Sequence, residues 1–494
     1  MKQKVTGLYL AYLMIFFVLY CGQGFYFFDY NKRDMFVLGS VIYICTLCLA
    51  SLKGLRLRKP TKTEILMAGL LAVWSIGALL ATNTEYALVG DPYRSMGLVY
   101  MGTLVVSAWL VSKNVCWNDV LEYMVLATSA VVYILQLCNH YWFDPLNFTD
   151  GWLSESLIST LGNLNQNACF NLLMIAILGA MFILSDNRKK QLAYGINIIL
   201  ACMALYASRS VVAIAGMLII FMACVAVGLA KPDKLWRVWH IGTFFCLGSI
   251  LQAIGMRLCI AVNGSVLGGY GPDTSELMPL GDRLVFGLVS LPGILIMIAV
   301  VALTGILLRK GKMAGKAALK PYLAVCGILI SAGIIVLAAG IITANSNSGF
   351  ANFMYQATSH RTAIWNMCLK MFLGLPLSKI LFGIGLNNLC VDLPRICEAE
   401  YYSVFSQGEV LADAHSIYID ILVSSGIIGF ACYFGIIYCL LKRLISALMA
   451  GKEKAIIGLL ALIVYLAAGL VNSNMIVVTV VLAMAVAVNG NQGV

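Results

Sequence analysis

Apolar runs about as long as a bilayer crossing occupy most of this chain. A membrane helix needs about 20 mostly apolar residues. Fourteen stretches fit: 7–28, 35–52, 65–81, 97–112, 120–139, 167–185, 191–206, 210–229, 238–258, 286–308, 321–343, 416–441, 455–470 and 472–489. Of the 494 residues 61% are hydrophobic and only 11% charged, where a soluble protein carries roughly a quarter. That leaves too little polar surface to cover about three soluble domains. A soluble enzyme and a disordered chain are both excluded. The expected fold class is an all-α polytopic integral membrane protein with about 14 transmembrane helices; a count of 12 keeps the same orientation.

The chain carries 33 Lys+Arg against 22 Asp+Glu, a net charge of +11. In a soluble protein such an excess would suggest nucleic acid; in a membrane protein it reports orientation, because cations gather in cytoplasmic loops. The cationic connections are Lys53–Lys59, Arg188–Lys190, Lys231–Arg237, Arg309–Lys320 and Lys442–Lys454. All fall on one side if both termini are cytoplasmic. The opposite loops, 82–96, 140–166, 259–285 and 344–415, are neutral or acidic. The expected protein is therefore a multi-pass membrane protein with both termini cytoplasmic, and its function is to be sought on the external face. Lipid is its surrounding partner and nucleic acid is not one. Its organisation reads as helices 1–11 over 1–343, a large external loop over 344–415, and helices 12–14 over 416–494. That loop is longer than ordinary connections, and its helical pattern over roughly 360–373 suggests an ordered cap. Most of the 16 cysteines, such as Cys45, Cys202 and Cys246, lie in apolar runs and act as small hydrophobes. Cys390 and Cys397 lie in the long loop, where a disulfide and two free thiols both remain open.

Ionisable residues beside membrane helices are costly and call for a functional reading. Four outward features stand out. Arg209, in the hairpin Ser208-Arg209-Ser210, is either a snorkelling interfacial cation or an anion site suited to phosphate. Arg361, followed one turn later by Trp365, opens an amphipathic segment and reads either as a surface helix start or as a second anion ligand. His415, in Asp413-Ala414-His415-Ser416, is one of only four histidines. It either caps the following helix or transfers protons near neutral pH. Asn163 and Asn165, in Gly162-Asn163-Leu164-Asn165-Gln166-Asn167, suit helix capping and could equally hydrogen-bond sugar hydroxyls. No Walker-type phosphate loop and no Cys/His metal spacing is present, so no cofactor and no metal is expected.

In their order and shared side, these pieces resemble the O-antigen ligase/polymerase superfamily of bacterial polysaccharide assembly. The matching residues are Gly90-Asp91-Pro92-Tyr93-Arg94-Ser95-Met96-Gly97-Leu98, Gly162-Asn163-Leu164-Asn165, Ser208-Arg209, Arg361-x-x-x-Trp365, Phe382-Gly383-Ile384-Gly385, Asp413-Ala414-His415-Ser416 and Gly426-Ile427-Ile428-Gly429. The chain departs from the family pattern at Ser416, where Asn is usual, and at Ser424-Ser425, where Glu is frequent. The resemblance implies a glycosyltransferase that takes a polyprenyl-diphosphate-linked glycan as donor and passes it to a hydroxyl on a glycan, lipid or other acceptor. Neither ATP nor metal is required in principle.

Combined with the residues, the resemblance assigns Arg209 and Arg361 to the leaving diphosphate and His415 to the acceptor proton. Attack opposite the diphosphate gives inversion. Arg94, Asn163, Asn165 and Trp365 are candidate glycan-binding residues, with Tyr401 and Tyr402 as further aromatic surfaces. A polysaccharide or lipid-linked oligosaccharide flippase is the competing class. It needs no large external cap and usually lines a central cavity with charges.

Overall fold

The computed structural model describes residues 1–21, 28–51, 59–115, 118–145, 159–208, 210–266, 287–309, 318–346, 348–406 and 408–490. Every regular element among them is helical. In chain order they are α1 (Lys2–Tyr12, continued by a π-helical turn), α2 (Phe28–Ser51), α3 (Lys62–Leu80), α4 (Thr84–Val89), α5 (Leu98–Asn114), α6 (Asp119–His140) and α7 (Leu164–Leu184). Then come α8 (Arg188–Ala207), α9 (Val211–Ala230), α10 (Leu235–Asn263), α11 (Leu291–Arg309) and α12 (Leu319–Thr343). Five short helices follow: α13 (Gly349–Ala357), α14 (Arg361–Leu373), α15 (Leu377–Phe382), α16 (Leu389–Ile396) and α17 (Glu398–Val404). The chain closes with α18 (Ile417–Met449), α19 (Ala455–Ala468) and α20 (Ile476–Gly490).

Each apolar stretch read from the sequence overlaps a helix, with residues 22–27, 52 and 286 outside the described set and 472–475 ahead of the last helix. Among the described residues, eight helices are long and apolar enough to cross a membrane: α2, α3, α6, α7, α8, α10 with its preceding turn, α12 and α18. Shorter apolar helices occupy 215–230, 291–306, 455–468 and 476–489. The protein is a multi-pass membrane protein. Its central helix is α7, apolar all round beyond its amide-rich first two turns and almost wholly buried, as expected of a helix surrounded by others. By contrast α12 stays largely uncovered by protein.

Contacts between connections sort them to two ends of the bundle. At one end Lys113 pairs with Glu64 at 3.6 Å, Lys190 with Asp119 at 2.9 Å and Lys234 with Asp186 at 3.4 Å. At the other, the α3–α5 connection meets the short helices. Asn388 accepts from the Asn83 amide at 2.8 Å and donates to its carbonyl at 3.0 Å, and Asn387 accepts from the Met96 amide at 2.9 Å. Asp392, fully buried, takes bonds from Thr82 and Arg395 at 2.8 Å each. Helices α14, α16 and α17 share an apolar core of their own, with Trp365, Phe372, Leu393 and Tyr401 packed against the start of α18. Cys390 and Cys397 are free thiols.

Helix α18 is broken. Gly426 sits at φ +65° with extended ψ, which frees the carbonyls before it. Two of these are satisfied by the segment after α15: the Ile384 amide donates to Val423 at 3.0 Å and the Gly385 amide to Ser424 at 3.1 Å. The approach is so close that a Cβ at Gly383 would lie 2.2 Å from the Ser424 oxygen, and one at Gly426 2.4 Å from Leu381. The two glycine motifs are therefore one joint, in which a broken membrane helix is completed by the cap's backbone. Irregular backbone at such depth needs protein partners of this kind.

Candidate active site

Three connections converge where α18 begins. The first is 90–97. Gly90, at φ +110°, turns the chain so tightly that a Cβ would collide with Ser95. The Asp91 side chain then accepts from the amides of Tyr93 at 2.6 Å and Arg94 at 2.9 Å. This Asx-type turn presents the Arg94 side chain, whose Nε forms an ion pair with Asp413. Burial raises the Asp91 carboxyl to about 6, against the pull of the two amides and Arg94.

The second is 413–416. Asp413 has only 5% of its side chain exposed and collects four donors. Besides Arg94 these are Ser473 Oγ at 2.7 Å, the His415 amide at 2.8 Å and His415 Nδ1 at 3.0 Å. Burial alone would push its carboxyl up. The charges of Arg94 and His415 and the Ser473 hydroxyl outweigh burial and hold it well below the usual carboxylate range. His415 Nδ1 faces this carboxylate at 3.0 Å, an arrangement that favours the tautomer with its proton on Nδ1 and Nε2 turned away from Asp413. His415 adopts φ +49°, uncommon for a residue with a side chain. Its imidazole remains 28% exposed. Trp365 and Asp420 hold the bend from both sides: the indole Nε1 donates to Ala414 O at 2.9 Å, and Asp420 accepts from the Ala414 amide at 3.3 Å.

The third is 471–475, between α19 and α20. The Ile417 amide at the head of α18 donates to Gly469 O at 2.8 Å and to Asn472 O at 3.0 Å, which places Ser473 under Asp413. A cavity of about 40 Å³ lies behind this group, lined by Arg94, Asn387, Asp413, Asp420, Ser424 and Asn474. It is large enough for water and too small for a sugar.

Arg361 opens α14 after the left-handed His360 (φ +68°), whose ring stacks on Tyr355 at 4.2 Å. Its Nη1 donates to Thr358 O at 3.2 Å, while its Nε–H is buried and meets no acceptor among the described residues. Burial lowers this guanidinium, and the Asp413 charge acts in the opposite direction. A half-buried fork whose Nε–H has no acceptor among the described residues suits an incoming anion.

The sequence-derived residues thus fall into groups. His415 and Arg361 share one neighbourhood with Arg94 and Trp365. Arg94 is engaged with Asp413, and Trp365, 2% exposed, presents no open ring face and holds the 414 carbonyl instead. Asn163 caps α7, accepting from the amides of Asn165 at 2.8 Å and Gln166 at 3.3 Å. Tyr401 is buried with its hydroxyl bonded to Glu409 O and the Leu411 amide, and Tyr402 is half exposed. Arg209 lies outside the described residues. Asp413, Asp91 and Ser473 were not singled out from sequence as site residues. An acid two positions before a histidine was the available signal for Asp413. For Ser473 it was the polar insert Asn472-Ser473-Asn474 between two apolar runs.

Fold and site together define a multi-pass helical membrane protein with an Asp-oriented histidine and a half-buried arginine beside a helical cap. A family model described as O-antigen ligase matches residues 284–434, the stretch that contains Arg361, Asp413, His415 and the break at Gly426. Over residues 284–434 the chain is similar to the O-antigen ligase family, which supports the resemblance to the O-antigen ligase/polymerase superfamily. No curated protein matches the chain.

Proposed function

We propose that the protein transfers a glycan from a polyprenyl-diphosphate carrier to an acceptor hydroxyl at the outer face of the cytoplasmic membrane. The observation that carries this reading is the Asp413–His415 pair, with Nδ1 3.0 Å from the carboxylate on a partly exposed ring whose other nitrogen is turned away from Asp413. The acceptor O–H gives its proton to His415 Nε2 as its oxygen attacks the anomeric carbon. The bond from that carbon to the diphosphate oxygen breaks, and the diphosphate leaves with the electron pair. Attack from the opposite face inverts the anomeric configuration. Charge grows on the leaving group, where prepositioned cations contribute most; Arg361 fills that role, with Arg209 as the second candidate. Asp413 and Arg94 act through His415, fixing its tautomer and stabilising the imidazolium as it forms. The energy resides in the sugar–diphosphate bond, so the step draws on neither ATP nor a metal. Asn163 and Asn165 remain candidates for sugar contact through their side-chain nitrogens and are secondary to the capping they perform.

The test uses purified protein with a lipid-diphosphate glycan and an acceptor. Transfer predicts a covalent product with inverted anomeric configuration by NMR and one polyprenyl diphosphate released per bond formed. A flippase would move the glycan lipid across a vesicle membrane and leave it intact.

A further inference from the structure

A large apolar cavity lies away from the site, in the opposite half of the bundle. It is a partly open cavity of about 430 Å³ between α3, α5, α18, α19 and α20, within the roughly 300–1,000 Å³ range of ligand pockets. Its depth is lined by residues such as Leu70, Leu104, Ile437 and Leu482, and it ends at Trp74, Met101 and Tyr465. Its mouth is polar. Lys113 and Arg443 stand there with one acid, Glu64. The Glu64 carboxylate is already engaged by Trp109 Nε1 at 2.8 Å, the Thr61 amide at 2.8 Å and Lys113 at 3.6 Å. The mouth is net cationic and the interior hydrocarbon-like.

Depth identifies the occupant. From Met101 to Lys113, α5 rises about 18 Å; half the hydrocarbon core of a bilayer is about 15 Å. One leaflet's acyl chain therefore fits from mouth to floor, with its phosphate beside Lys113 and Arg443. A carrier lipid whose diphosphate lies at Arg361 would have to enter from the other end, past Met101, which walls both this cavity and the small one behind Asp413. We propose that this cavity binds one acyl chain of an anionic phospholipid drawn from the leaflet opposite the active site. The ligand is distinct from donor and acceptor, and the inference is independent of the transfer reaction. The far wall connects to the site's supports: Tyr465 donates to Asn474, next to the Ser473 that bonds Asp413. A filled cavity thus backs the hairpin beneath His415.

The experiment reconstitutes the full-length protein in nanodiscs with phosphatidylglycerol carrying a diazirine near the acyl terminus, followed by irradiation and peptide mapping. Labelling should concentrate at the floor, around Trp74, Met101 and Tyr465, and exceed that from the matching phosphatidylcholine by about tenfold, given two cations at the mouth. Leu104→Trp, which fills the cavity, should abolish that labelling; if this variant fails to fold, Arg443→Gln should erase the preference for phosphatidylglycerol. Labelling confined to lipid-facing helices such as α12, equal labelling by both lipids, or displacement of the probe by a polyprenyl phosphate would overturn the proposal.

Discussion

Replacing Asp413 with Asn separates chemistry from scaffold most cleanly. The side chain is 5% exposed and accepts from Arg94, Ser473, His415 N–H and His415 Nδ1. An amide has one acceptor oxygen, so one of its two ends must point N–H groups at a donor. Directed at His415, the amide forces Nδ1 to accept and moves the ring proton to Nε2, removing the base. Directed at Arg94, it confronts a guanidinium with another donor and leaves that cation without its partner. General-base catalysis is worth roughly 10²–10⁴-fold, so kcat should fall by that factor. The donor KM should change little, because Arg361 is untouched. Breaking a buried ion pair from one side costs about 3–5 kcal/mol; Arg94 keeps 20% exposure, which puts the loss at the low end. Turnover must therefore be counted per folded molecule, after size-exclusion and melting checks. Ser473→Ala removes only one neutral donor and should cost about 1 kcal/mol of stability and at most about tenfold in rate. A folded Asp413→Asn protein with wild-type kcat would refute the orienting role.

Three other outcomes follow from the same geometry. Arg361→Ala should lower transfer by at least roughly 10²-fold, and Arg361→Lys should rescue poorly because a point charge replaces a fork; kinetics on purified variants decide it. Asp91→Asn keeps the oxygen that accepts from Tyr93 and Arg94. Because folding raises the Asp91 carboxyl to about 6, the folded state holds the extra proton between about pH 4 and 6 and loses stability as pH rises through that window. Thermal melts should then show the variant more stable above pH 6, by up to about 3 kcal/mol, and converging with wild type near pH 4. Gly426→Ala places a Cβ 2.4 Å from the Leu381 carbonyl in a left-handed backbone. It should destabilise by at least about 1–3 kcal/mol and lower the melting temperature, whereas Gly408→Ala, with open space around it, should cost mainly local strain.

The membrane helices were legible because hydropathy over about 20 residues is a strong constraint that packing seldom overrides. Boundaries shifted where side chains compete for the backbone. The last helix starts at Ile476 and not 472 because Asn472 and Ser473 serve the head of α18 and Asp413. His415 and Arg361 were legible as ionisable groups that a membrane does not explain. Their partners were not: Arg94 lies 319 residues from Asp413 and Ser473 lies 60, distances that no local pattern encodes. The glycine motifs were visible as motifs, but the joint they form, a helix broken at Gly426 and completed by Ile384 and Gly385, depends on tertiary contact. Trp365 looked like a sugar platform by residue type, and burial turned it into a support for the His415 bend.

The most direct measurement compares wild-type and His415→Ala proteins in a single-turnover reaction with lipid-diphosphate glycan and acceptor. Product and released polyprenyl diphosphate are quantified together. Wild type should form both in equal amounts. The variant, folded and still binding donor through Arg361, should form neither at a rate within roughly 10²-fold of wild type. Equal rates from the two proteins would contradict the account.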